Sequence, residues 1–142
     1  MFFLFQKEHP SFGPELTRFQ HALRCIQEIH PQMSVSALAA FVTLARRQED
    51  IWEKALSLAD VAAELGMPYN SFIRTTELLG EGGKKVKGLG LIEKGMDPKD
   101  RKSRRVIITA AGRHVLEDIV DALTPLTDEQ DAAISEFAER AR

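Results

Sequence analysis

Two clusters of side chains near the middle of the chain could do chemistry, and in both cases it is the chemistry of binding. Tyr69, Asn70, Ser71, Arg74 and Thr75 fall on the outward side of a stretch, 68–79, that reads as a helix opening at Pro68. Amide, hydroxyl, phenol and guanidinium groups in that position hydrogen-bond to base edges and phosphates when a helix N-terminus enters a major groove. The second cluster is basic. Between Lys84 and Arg105 there are nine lysines and arginines against three acids, a surplus of six positive charges. From Val115 to Arg142 eight acids face two arginines, a surplus of six negative charges, and the whole chain carries −2. So polarised a molecule can turn one face to phosphates while the rest stays acidic and soluble. The same charges would also suit an ordinary solvated face.

Other chemistries find no support in the residues. His9, His21, His30 and His114 lack metal-ligand spacing. There is no nucleophile elbow, and no carboxylate pair falls near an expected cleft. The glycine-rich run Gly80–Gly90 (GEGGKKVKGLG) holds no Gly-x4-Gly-Lys-Ser/Thr phosphate loop, and Gly88-Leu-Gly90 lacks the third glycine of a dinucleotide fingerprint. Neither an enzyme nor a bound cofactor or metal is expected. The single cysteine, Cys25, cannot pair within the chain and suits a reducing cytoplasm. The opening MFFLF is too short for a signal peptide core or a membrane span, and it reads as an arm packed on the body or on a partner.

The elements that must position the two clusters follow from apolar periodicity. At 142 residues the chain has the length of one domain. A first helix is expected over 11–30, with Leu16, Phe19, Leu23 and Ile26 at spacings of three and four and Pro31 as its stop. So narrow a seam suits packing on the domain's own core or a subunit interface. A second helix, from about Ser34 to Gln48, is apolar on most of its circumference and therefore central. Ile51–Ala55 can add a turn, with Trp52 anchoring the connection. Ser57 caps a short helix, Leu58–Leu65. Ala62 then lets the next helix cross closely, and Gly66 supplies the positive φ of a tight turn.

Gly80–Gly90 is expected to be a mobile loop whose lysines Lys84, Lys85 and Lys87 touch phosphates. Leu91–Lys94 and Arg105–Thr109 read as the strands of a hairpin, with Gly95–Arg104 as a turn-forming tip carrying Lys99, Arg101, Lys102 and Arg104. Such a tip suits a narrow minor groove. Thr109 caps a further helix through Leu123, Thr124-Pro125 breaks it, and Thr127-Asp-Glu-Gln130 starts a last helix. Ile134 and Phe137 are expected on that helix's buried side. The fold class is mainly α with a small β-hairpin (α+β).

The run GLIEKGMDPKDRKSRRVIITAAG, with LADVAAELG and the Ser34–Ala45 helix before it, resembles the MarR (multiple antibiotic resistance regulator) family of winged helix-turn-helix transcription factors. Its most specific part is Gly90-Leu91-Ile92 entering the wing, Asp97-Pro98 and Asp100-Arg101 at the tip, and Thr109-x-x-Gly112 opening the next helix. The likeness covers nearly the whole chain. It implies one domain, 1–142, in which 34–109 form the DNA-binding lobe and 11–31 with 110–142 supply dimerisation helices. Leu16, Phe19, Leu23, Ile26, Ile134 and Phe137 would then lie at the dimer interface. It further implies a cytoplasmic homodimer that represses transcription from a palindromic operator on double-stranded DNA and lets go on meeting a small aromatic ligand or an oxidant. Cys25 on the leading helix would be an oxidant's target under that resemblance. It reads better as a buried or half-buried structural cysteine.

Two features depart from the family pattern. Lys102 stands where the wing arginine is usual, offering a point charge in place of a planar fork. The segment around Glu81–Gly88 is an insertion between recognition helix and wing. The competing reading of the same residues is a winged-helix adaptor that binds other proteins and no DNA.

Overall fold

The computed structural model of the chain describes residues 12–97, 100–125 and 128–141. Helix α1 (Gly13–Ile29) takes Pro14 in its first turn and ends at His30. Helix α2 (Val35–Arg46) is capped by Ser34, whose Oγ accepts from the Ala37 amide at 3.0 Å. A short α3 (Gln48–Glu53) follows, where one further turn was predicted from Ile51. Helix α4 (Leu58–Leu65) opens in a reciprocal capping box. The Asp60 amide donates to Ser57 Oγ at 3.1 Å, and the Ser57 amide donates to Asp60 Oδ2 at 3.2 Å. Gly66 closes α4 at φ +68°, the left-handed conformation its position in the turn predicts.

Helix α5 (Tyr69–Leu79) leads, after the glycine-rich segment, to an antiparallel hairpin of β1 (Ile92–Asp97) and β2 (Asp100–Ile108). The strands are longer than predicted. Pairing runs from Ile92–Ile108 out to Met96–Arg104 and then, after a shift of register, to Asp97–Asp100. Most of the expected tip is therefore strand. Thr109 caps α6 (Ala110–Leu123), its Oγ1 accepting from the Gly112 amide at 3.0 Å and donating to the Gly90 carbonyl at 2.7 Å. A side chain at Gly112 would bring Cβ within 2.1 Å of the Leu91 carbonyl oxygen, so only glycine lets α6 start this close to the wing. Helix α7 (Asp128–Arg140) comes last. MFFLF and the Thr127 cap lie outside the described residues.

One apolar core runs through the chain. Helix α2 is its centre, packing on α3, α4, α5 and β2 and burying Ala40, Phe41 and Leu44 completely. Val61 and Phe72 fill the angle between α4 and α5, with Leu65 and Met67 half-buried beside them. Leu79, Leu91, Ile92 and Val106 carry the core to the base of the hairpin. Helices α1 and α6 pack on each other and extend the core through Ala22, Ile26, Val115 and Ile119.

The outer helices bear on two expectations as far as a single chain can. Ile26 is not on the open seam but inside the protomer's own core, because α6 covers that side of α1. Ile134 and Phe137 are not buried: every described side chain of α7 is exposed, Phe137 to 74%. The amphipathic pattern of α7 was legible, but its apolar side meets nothing in the single chain.

Candidate nucleic-acid interface

Because Phe72, Thr76 and Leu79 face inward from α5, the residues between them must face out. Tyr69, Asn70, Ser71 and Arg74 are all exposed, and Thr75 is half-buried. The Thr75 hydroxyl is spent on the Ser71 carbonyl at 3.0 Å, so it can only accept from a ligand. Arg74 forms no ion pair among the described residues. At the N-terminus Pro68 offers no side-chain cap, so the amides of the first turn are left for an outside acceptor. That donor set was not among the predicted site residues. The signal was the proline before Tyr69, which can start a helix but cannot cap one.

The helix is held by its neighbours. Glu64 on α4 accepts from Arg46 and lies 3.5 Å from Arg47 Nε, and Arg47 reaches Asp50 at 3.0 Å. This network ties α2 and α3 to the first helix of the turn-helix pair. The hairpin is held from the other side. Gln48 Nε2 and Trp52 Nε1 both donate to the Val106 carbonyl, at 3.0 and 3.1 Å. Arg105 answers by donating to the Ile51 carbonyl at 2.8 Å and to that of Trp52, with its guanidinium 5.5 Å from the centre of the Trp52 ring. Trp52 does anchor the connection. What sequence reasoning missed is that Gln48 and Arg105 complete the clamp, since nothing in their spacing pairs residues more than fifty apart.

The basic cluster divides. Lys84, Lys85 and Lys87 are exposed on the segment between α5 and β1, and Lys94 is exposed on β1. That segment is not the loose loop predicted. Gly82 and Lys87 form an antiparallel bridge, and backbone hydrogen bonds tie its base to the end of α5. Lys99 lies outside the described residues. Arg101, Lys102 and Arg104 sit on the described backbone of β2, with their side chains outside the description. The structure thus brings Tyr69, Asn70, Ser71, Arg74 and the three lysines to the surface of one lobe. Of the residues assigned to a subunit interface, Leu16 (60%), Phe19, Ile134 and Phe137 are exposed, Leu23 is half-buried and Ile26 is buried.

Helix α5, its partner α4 and the clamped hairpin together define a winged helix-turn-helix lobe flanked by additional helices. No protein-family model matches the chain, and no curated protein matches it in sequence. Solved structures do match. Rv1404 of Mycobacterium tuberculosis is 16% identical, over 86% of this chain and 70% of its own, at a TM-score of 0.55. A MarR family transcription regulator, SP03579, is 18% identical over 88% of this chain and 66% of its own, at 0.50. A mutant of S. aureus MepR, solved bound to an oligodeoxyribonucleotide, is 15% identical over 87% and 86%, at 0.51. The chain thus spans about two thirds of the first two proteins. At these identities the likeness is one of fold, and the fold is shared with a protein described as a MarR family transcription regulator. Among the described residues no helix is long and apolar enough to cross a membrane.

Proposed function

We propose that the protein is a sequence-specific DNA-binding transcriptional regulator, a homodimeric repressor that reads a palindromic operator. The observation that carries this reading is the outward face of α5: Tyr69, Asn70, Ser71 and Arg74, exposed at an uncapped helix N-terminus beside a clamped hairpin. Base readout falls to Asn70, Ser71, Arg74 and Thr75, with Tyr69 beside them. Phosphate contact falls to Lys84, Lys85 and Lys87, and to Lys99, Arg101, Lys102 and Arg104 of the wing. The MepR structure with an oligodeoxyribonucleotide supports DNA as the partner of this fold.

Dimerisation is supported by what the single chain leaves uncovered. A 13-residue helix is marginal in water by itself, so α7 needs a surface for Ile134 and Phe137. Leu16, Phe19, Val120 and Leu123 offer exposed apolar surface of the same kind. Relief by a small ligand belongs to the same reading. A cleft of about 420 Å³ opens between α2, the start of α3, β2 and α6, with Ile107, Leu116, Gln48 and Arg113 on its walls. MepR has also been solved with ethidium bromide bound. An aromatic ligand in this cleft would press on the same strand that Gln48 and Trp52 hold.

Replacing Arg74 with alanine is the test. If Arg74 makes a bidentate base contact, affinity for the operator falls by roughly 1–3 kcal/mol while affinity for unrelated duplex changes much less. Equal losses on both duplexes would make Arg74 a phosphate contact and remove it from the base-reading set.

A further inference from the structure

We propose that Gly82–Gly88 is a second DNA-gripping ribbon, which binds duplex phosphates beside the recognition helix without reading sequence. The inference rests on the regulator reading and adds an element to it. After α5 the chain does not pass straight into β1. It turns out and back, with Gly82 bridged to Lys87 and the Gly83 amide donating to the Val86 carbonyl at 3.0 Å. The Gly88 amide donates to Glu81 O at 3.2 Å, the Gly82 amide to Glu77 O at 2.7 Å, and the Leu89 amide to Leu78 O at 2.8 Å. A plain linker needs none of these bonds.

Nor does a linker need its glycines. Gly82 sits at φ +84°, and a Cβ there would fall 2.3 Å from the Val86 carbonyl oxygen and the Gly88 nitrogen. A Cβ on Gly88 would fall 2.0 Å from the Gly80 carbonyl oxygen. Side chains at either position would force the two arms apart, so the sequence specifies a closed ribbon.

What the closed ribbon presents is charge. Lys84, Lys85 and Lys87 are exposed within four residues, and none has an ion-pair partner among the described residues. Glu77 and Glu81 line the cleft at the ribbon's base, which turns phosphate away from the base and towards the tip. Three ammonium groups held together repel one another, and a polyanion relieves that repulsion by replacing condensed counterions. Lysine is a rotating point charge, suited to phosphate oxygens and not to the planar pattern of a base pair. Across the cleft stand Ile92 and Lys94 of β1, so ribbon and wing base rise from one side of the lobe.

Binding isotherms on operator and unrelated duplexes across a salt series test the proposal. For the variant K84Q/K85Q/K87Q, three lost phosphate contacts lower the slope of log K against log salt by about 2.7. That is roughly a 40-fold smaller loss of affinity between 50 and 200 mM salt. Affinity falls by the same factor on both duplexes. Gly88→Ala keeps every charge but opens the ribbon, and it is expected to lose much of the same slope. A triple variant with the wild-type slope overturns the proposal, and is the result expected if the lysines instead serve an acidic protein partner. A Gly88→Ala chain with the wild-type slope overturns the claim that the closed shape matters. Wild-type protein that binds neither duplex brings down the regulator reading itself, an outcome distinct from either variant result.

Discussion

The lobe from α2 to β2 and the helices around it satisfy their apolar residues in different ways. Inside the lobe, Phe41, Leu44, Val61, Phe72, Leu79 and Val106 are wholly buried by elements of the same chain. Its hairpin, which has only two strands and would be marginal alone, is fixed by side-chain donors from α3. The flanks are half finished. One side of α1 and one side of α6 cover each other, yet Leu16, Phe19, Val120 and Leu123 remain exposed, and α7 is exposed along its described length. On the proposed reading, the difference separates what one chain folds for itself from what it leaves for a second copy. On that reading, a lobe that reads DNA keeps its geometry before it meets DNA, whereas an interface between copies is completed only on assembly.

The largest effect is expected inside the lobe. Phe41→Ala should cost about 3–5 kcal/mol, the transfer term plus the cavity left at the centre of α2, and should lower the thermal midpoint strongly in a circular-dichroism melt. A loss under about 1 kcal/mol would mean the lobe can collapse around the gap and is less tightly packed than its burial implies. Gly112→Ala comes next, since its Cβ would meet the Leu91 backbone and α6 would have to shift. A cost of about 1–3 kcal/mol is expected from such overpacking, and a neutral result would show that the junction of lobe and flank is pliant. Trp52→Phe keeps the ring beside Arg105 but removes one of two donors to Val106 O. The expected cost is about 0.5–1.5 kcal/mol by urea titration, and it sharpens how much of the wing's hold comes from that bond. Phe137→Ser should change protomer stability least, within about 0.5 kcal/mol at a dilution where no dimer survives. At higher concentration the same variant should weigh as a monomer by light scattering while the parent weighs as a dimer. A large stability loss at high dilution would place Phe137 in the protomer's own fold and erase the contrast.

Much of the lobe was legible because its signals are local. Ser34, Ser57 and Thr109 announce helix starts through side-chain chemistry within three residues, and Gly66 announces a turn through the φ it alone adopts cheaply. The outward face of α5 was legible in the polar and basic side chains Tyr69, Asn70, Ser71, Arg74 and Thr75 that follow Pro68. Long-range partners were not legible. Nothing near Gln48 shows that its amide meets Val106, and nothing near Arg105 shows that it finds the end of α3. The run Gly80–Gly90 misled for a related reason. Glycine density suggests looseness, but Gly82 and Gly88 are there so that two backbones can approach within a distance no Cβ tolerates. At α1 the stripe Leu16, Phe19, Leu23, Ile26 gave one periodicity for two surfaces. Only the position of α6 decides that Ile26 faces inward and Leu16 does not.

On the proposed reading, two such lobes, joined through the helices left open here, read one sequence twice. Selection of purified protein on a random-sequence duplex library measures this directly. The expected outcome is enrichment of an inverted repeat whose half-sites are about one helical turn apart, with preference relaxed at one base position of each half-site when Arg74 is replaced by alanine. A library that emerges with no enriched inverted repeat would contradict it.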